Sequence, residues 1–167
     1  MLSDLLKDYK LILASNSPRR RLLLSEMGLD FIVEVREIDE VFPDNLNPKE
    51  VAVYLAESKA SAFKAEELQP DRIIITADTV VALGDIILGK PEDRDDAIKI
   101  LESLSGQSHD VITGVCIKSS KKTHAFASCT KVYFKKLSSK EIEFYVDNFK
   151  PYDKAGAYGI QEWIGHV

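Results

Sequence analysis

Two apolar stretches, Arg72-Ile73-Ile74-Ile75-Thr76-Ala77 and Val80-Val81-Ala82-Leu83, stand on either side of Asp78-Thr79. Such isoleucine and valine runs are strand-like and have the apolar density of strands buried in a sheet. A carboxylate among them is the tightest constraint in the chain, because an ionised side chain taken out of water without a partner is very costly. Asp78 therefore needs a cation, a metal, several donors or the rim of a cleft, and strand ends beside clefts are frequent places for catalytic carboxylates. An exposed turn or capping aspartate is the plainer alternative. On a regular strand Thr79 points away from Asp78, and a bulge or bend brings both onto one ligand.

The rest of the chain reads as α/β with a mixed sheet. Lys10–Ala14 is a short apolar strand feeding a helix start, with Ser17 as N-cap and Pro18 in the first turn. That helix is expected to turn Leu22, Leu23 and Met27 inward and to stop at Gly28, before a strand over residues 31–35. Helical spacing over residues 49–66 puts Ala52, Leu55, Ala56 and Phe63 on one face, and Lys59 falls on that face. Gly84-Asp85 suits a hairpin turn, residues 92–104 a helix, residues 111–117 and 130–134 strands, and Ser138-Ser139-Lys140-Glu141 opens a helix to about Phe149 with a capping box. Hairpins mixed with crossovers imply the mixed sheet, and with no repeat, low-complexity tract or long linker residues 1–167 read as one domain.

Composition narrows the function classes. With 22 Lys+Arg against 27 Asp+Glu the formal charge is −5, so no basic field draws in a nucleic acid. No apolar run nears the roughly 20 residues of a membrane helix, and the first residues lack signal-peptide order, so a cytoplasmic protein without membrane association is expected. Cys116 and Cys129 lack metal or disulfide spacing and read as buried thiols. No GxGxxG, P-loop or GxSxG pattern is present.

Other residues stand out chemically. Arg19, Arg20 and Arg21 crowd a helix N-terminus that is already partly positive, each misplaced by about 0.3–1 kcal/mol unless an anion sits there. Helix N–H groups, the Ser15 and Ser17 hydroxyls and arginine forks make a phosphate cradle; a solvated basic turn is the alternative. Lys59 could snorkel to water and Lys90 could be a surface turn lysine, or both could complete a phosphate site. Glu34, Glu37, Asp39 and Glu40 could ligate Mg²⁺ or Mn²⁺, or simply be solvated. The Asp153–Gln161 loop, with Gly156 and Gly159, suits close approach of backbone to a ligand. The histidines show no partner at metal or triad spacing.

In this order Leu13-Ala14-Ser15-Asn16-Ser17-Pro18-Arg19-Arg20, Ala77-Asp78-Thr79-Val80-Val81, Gly89-Lys90-Pro91, Leu104-Ser105-Gly106 with His109 and Thr113-Gly114-Val115, and Asp153 to Gln161 resemble the Maf family of nucleoside triphosphate pyrophosphatases. The resemblance implies a Maf/inosine-triphosphatase-like fold, a mixed twisted sheet with flanking helices and two lobes around a central cleft. It implies hydrolysis of a nucleoside triphosphate to monophosphate and pyrophosphate with a divalent cation, Mg²⁺ or Mn²⁺. By position Asp78 matches the proton acceptor, with Lys59 and Lys90 as catalytic cations. Arg19, Thr79 and Gln161 match residues tied to substrate choice and look like the dTTP/UTP branch. Ser15, Ser17 and Arg20 match substrate-binding positions, and Asp78 with Glu40 would hold the metal. By the resemblance a further strand and helix are expected beyond the Gly-Ile-Gln block, and the sequence here stops at Val167. The small-molecule triphosphate is the expected partner, and a homodimer is left open. A regulator of septum formation that binds nucleotide without turnover would need the cradle but not Asp78. A sugar-phosphate enzyme would give no reason for Thr79 and Gln161.

Overall fold

The computed structural model describes residues 2–167. In chain order its elements are α1 (Leu2–Leu6), β1 (Lys10–Leu13), α2 (Pro18–Glu26), β2 (Phe31–Val33), α3 (Pro48–Ser61), β3 (Arg72–Leu83), β4 (Ile86–Leu88), α4 (Arg94–Leu104), β5 (Ser108–Lys118), β6 (Thr123–Tyr133) and α5 (Ser139–Phe149). The strands form one six-stranded sheet in the order β2-β1-β3-β5-β6, with β4 paired to β3. Strand β1 runs parallel to β2 and β3, and β4 antiparallel to β3, so the sheet is mixed as the order of elements implied. Among the described residues no helix is long and apolar enough to cross a membrane. Two compact units are present, one of residues up to Asp78 with Thr113–Ala127, the other of Thr79–Ile112 with Ser128–Val167.

In the first unit β1 buries Leu11, Ile12 and Leu13, and Ile12 packs with Phe63, Leu68 and Ile74. Helix α3 opens with a capping box that the sequence pattern did not flag: the Asn47 carboxamide accepts the Lys49 and Glu50 amides, each at 3.0 Å, and Glu50 accepts the Asn47 amide at 2.9 Å. Its buried residues Ala52, Ala56 and Ala60 recur every fourth position, a smooth stripe that lets neighbouring backbone come close. A Cβ at Gly114 would lie 2.0 Å from the Ala52 carbonyl oxygen. The buried Thr76 hydroxyl donates to the Ala56 carbonyl at 2.6 Å, fastening β3 to α3.

In the second unit Ala97, Leu101 and Leu104 of α4 pack with Ile142, Tyr145 and Val146 of α5 and with Ala157, Tyr158 and Ile164. Asp93 caps α4 by accepting the Asp96 amide at 2.8 Å. The Ser138–Glu141 capping box opens α5 as expected. Gly84 turns the β3–β4 hairpin at φ +61°.

Several expectations need correction. Residues 72–83 form one continuous strand, not two separated by Asp78-Thr79, because the Asp78 charge is met in place by Lys59. Helix α2 buries nothing, and Leu22, Leu23 and Met27 are exposed; consecutive leucines lie about 100° apart around a helix and make no single inward stripe. Helix α3 ends at Ser61, short of residue 66. Cys116 is buried, but Cys129 is exposed, since β6 lies at the end of the strand order and buries none of its residues.

Gly114→Ala places a methyl group against the α3 backbone. We expect a loss of about 2–3 kcal/mol or outright insolubility, read from the urea midpoint, whereas Gly89→Ala, where an added Cβ meets nothing within 4 Å, should lie within about 1 kcal/mol of the parent.

Candidate active site

Strand β1 ends at Leu13, and Ala14 and Ser15 stay buried before the chain turns into α2. The Ser15 hydroxyl accepts the Ser17 amide at 3.2 Å and the Arg20 Nη1 at 3.2 Å. The same Nη1 donates to the carbonyl of Ala77, the residue before Asp78, at 2.7 Å. Arg20 therefore points inward instead of solvating a basic turn. Burial pushes its pKa below the ordinary value, Asp78 opposing, Arg19 adding to the lowering and Glu40 opposing in turn. Ser17 occupies the N-cap of α2, but its side chain makes no capping bond, and Arg19 is exposed.

Lys59, in the last turn of α3, does not snorkel. Its Nζ lies 2.9 Å from Asp78 Oδ1 and 2.7 Å from Glu40 Oε1. The Lys59 and Asp78 side chains are 18% and 16% exposed, so solvent screens this pair far less than an open surface bridge. Two carboxylates converging on one cation also form a hard-oxygen donor set. Among the described residues no group of three or more His, Cys, Asp or Glu could hold a metal. Mg²⁺ suits such a pair, since it is commonly bound by one or two carboxylates and fills its remaining positions with water and phosphate oxygens. The residues present thus fit a divalent ion that is shared with a ligand.

Ser15, Arg20, Glu40, Lys59 and Asp78 are brought together within the first unit. Thr79, Lys90 and Gln161 belong to the second. There Lys90 is exposed between β4 and α4, and the carbonyl of its neighbour Gly89 accepts the Gly156 amide at 3.0 Å. Gly156 sits at φ +71°, and a Cβ there would meet Val81 at 2.9 Å, so the loop needs glycine at this point. Gln161 is exposed, while the next residue, Glu162, is held by the Tyr145 hydroxyl and by Lys154 Nζ at 3.2 Å. The Tyr145 hydroxyl also accepts the Gly159 amide at 3.0 Å. Burial and then Glu162 push the Tyr145 pKa up.

Sequence reasoning missed this Tyr145–Glu162–Lys154 network, and it missed Arg36, whose only advance signal is a lone cation inside the acidic run Glu34–Glu40. His109, for which the sequence offers no role, is buried with Nε2 2.7 Å from the Tyr158 hydroxyl, and burial pushes the Tyr158 pKa up to about 12. A groove of about 510 Å³ on α3, lined by Asn47, Lys49, Glu50, Val53, Tyr54 and Glu57, contains none of the candidate residues.

Residues 10–167 match the family model described as Maf-like protein. The dTTP/UTP pyrophosphatase of Parabacteroides distasonis is 50% identical over 163 residues, covering 97% of this chain and 84% of that protein. The dTTP/UTP pyrophosphatase of Flavobacterium psychrophilum is 50% identical over 167 residues, covering 100% of this chain and 85% of that protein. Among solved structures, the Ham1 protein of Staphylococcus aureus is 14% identical, with a TM-score of 0.49 over 74% of this chain and 71% of that one.

Lys59→Met leaves two carboxylates facing each other without their shared cation. The urea midpoint should fall by the equivalent of about 1–2 kcal/mol, and adding Asp78→Asn should restore part of it. An unchanged midpoint would show that the pair contributes nothing to stability.

Proposed function

The chain belongs to the Maf-like protein family, and from that premise we propose that it is a nucleoside triphosphate pyrophosphatase acting on dTTP and UTP, with modified pyrimidine nucleotides of the same base edge as further substrates. The observation that carries this reading is the Lys59 ammonium held between Glu40 and Asp78, with Arg20 bonded to the carbonyl beside them. That arrangement offers a carboxylate base, fixed cations and hard oxygen donors at one place. Phosphoryl transfer asks a protein for little else, since positioning and charge neutralisation dominate it. The family match spans both units, and we read them as parts of one domain.

In this proposal the Asp78 carboxylate takes the proton of the water that attacks the α-phosphorus, and pyrophosphate leaves against the charges of Arg20, Lys59 and Lys90. Ser15, Ser17 and the N-terminal end of α2 bind phosphate oxygens. Asp78 and Glu40 would hold a Mg²⁺ or Mn²⁺ ion, which supplies charge at the phosphate oxygens and acidifies bound water. Arg19, Arg20, Lys59 and Lys90 exceed Glu40 and Asp78 by two positive charges only. A triphosphate carries several negative charges, so a divalent ion would complete the balance.

Thymine and uracil share an O2, N3–H, O4 edge, which asks for one acceptor flanked by donors. A primary amide supplies both kinds of group, and Gln161 is our candidate, with Thr79 and Arg19 shaping the choice of substrate. Cytosine places an amine where these bases carry O4, so a buried donor would face a donor at about 1–3 kcal/mol or more.

Pyrophosphate release, read as phosphate after adding inorganic pyrophosphatase, should show dTTP and UTP well ahead of CTP and GTP, and Gln161→Glu should erode that preference. Efficient CTP or GTP hydrolysis by the parent would end the pyrimidine assignment. Asp78→Asn should bind nucleotide normally and lose at least ~10²-fold in kcat. Turnover within about threefold of the parent would remove Asp78 from the chemistry and favour a nucleotide-binding regulator.

A further inference from the structure

Glu40 reaches Lys59 from a segment that has no regular structure of its own. The last ladder-like bond of β2 is the Glu34 amide to the Leu13 carbonyl at 3.2 Å, and residues 34–47 contain neither helix nor strand. A carboxylate on such a segment is placed only as well as the segment is anchored.

Arg36 supplies an anchor between these two points. Its Nη1 donates to the Ala62 carbonyl at 2.7 Å, at the C-cap of α3, and to Glu67 at 2.6 Å. Its Nε and Nη2 donate to Glu34 at 3.3 and 3.1 Å. The guanidinium lies 4.3 Å from the centre of the ring of Phe63, itself buried in the core of the first unit. Planar stacking and several donors from one rigid fork are what arginine offers and lysine does not. Lys118 secures the same helix end by donating to the Ala60 and Phe63 carbonyls at 3.2 and 2.5 Å. Ala62 and Lys59 lie three residues apart, slightly under one helical turn. Residues 36 to 40 are therefore fastened to α3 at two points one turn apart, first by Arg36 and then by Glu40.

We propose that Arg36 is a positioning residue that clamps the Glu34–Glu40 segment to the end of α3, so that Glu40 is held on Lys59 beside Asp78. It touches none of the groups proposed to meet the substrate and acts through Glu40. This rests on the proposed pyrophosphatase chemistry for its kinetic consequence, but the clamp itself is a statement about the unliganded chain.

The test is a double-mutant cycle on the full chain, paired with amide hydrogen exchange without nucleotide. Arg36→Ala should lower kcat for dTTP by about tenfold with KM within about twofold, and in a Glu40→Gln background the same substitution should cost less than about twofold. Arg36→Lys should fall between parent and Arg36→Ala, since it keeps the charge but not the fork. In Arg36→Ala the Glu34 amide, which donates to the Leu13 carbonyl, should exchange at least about tenfold faster while the amides of residues 51–56 keep the parent's protection. An equal kcat loss in both backgrounds would show that Arg36 does not act through Glu40, and unchanged exchange of the Glu34 amide would overturn the clamp. Should Arg36→Ala fail to fold, the same two measurements on Arg36→Lys decide the proposal in the same way. A parent without turnover on any nucleotide would defeat the pyrophosphatase reading, while the exchange data would still decide the clamp.

Discussion

One ammonium group, Lys59 Nζ, stands 2.7 Å from Glu40 and 2.9 Å from Asp78, and much of the first unit is arranged to bring it there. Without it the Asp78 charge, in the middle of an apolar strand, would lose this cation and keep the attraction of Arg20. With it the strand runs unbroken from Arg72 to Leu83. The placement follows from two contacts in register. Thr76 and Asp78 share one face of β3, being two residues apart, while Ala56 and Lys59 are about one turn apart on α3. The Thr76 hydroxyl bonds Ala56 at one point and Asp78 meets Lys59 at the next. The Ala52, Ala56 and Ala60 stripe and the bare Gly114 let the helix approach closely enough for both. Packing of small residues and placement of charge are the same constraint seen from two sides.

The helix termini explain how cations are tolerated here. Near the C-terminal end of α3, Lys59, Arg36 and Lys118 all sit favourably against the helix dipole, and two of them satisfy carbonyls that the helix leaves open. At the N-terminus of α2 the dipole opposes Arg19, Arg20 and Arg21. Arg20 offsets this by turning inward to the Ala77 carbonyl and the Ser15 hydroxyl. Burial still weakens the hold on its proton, so attraction to Asp78 only partly compensates desolvation. A guanidinium in that condition gains from any further anion brought close.

Most of the fold was legible from short-range chemistry. The capping box at Ser138, the hairpin glycine at position 84 and the apolar run of β1 rest on local rules, and each lies where those rules put it, while the two apolar runs of β3 are strand as expected but joined through Asp78-Thr79. Lys59 was legible as a charge on an apolar stripe, but its partners were not, because Glu40 and Asp78 each stand 19 residues from it in sequence and meet it only in the tertiary fold. The failures have the same origin. Helix α2 has leucines without a partner surface, so its hydrophobicity misled about burial, and Cys129 looked buried because a strand's composition does not say whether it lies at the edge. Two of Arg36's bonds reach residues 26 and 31 positions away, and no local rule reports them.

The loop after α5 shows how a residue proposed to meet a ligand can be exposed and still well placed. Among the described residues Gln161 makes none of the bonds that order the loop, and its neighbour Glu162 takes them instead, held by Tyr145 and Lys154. Tyr145 in turn is fully buried among the residues that pack α4 against α5, so the loop's position is tied to the core of the second unit. Glycine at 156 removes the side chain that would collide with Val81 and lets the amide reach the Gly89 carbonyl beside Lys90. A carboxamide used for its own loop's hydrogen bonds would have fewer donors and acceptors left for a base. Placing the anchor one residue later leaves the whole amide of Gln161 for the recognition we propose for it, while the backbone that carries it is as fixed as its neighbour's ion pair and phenol can make it.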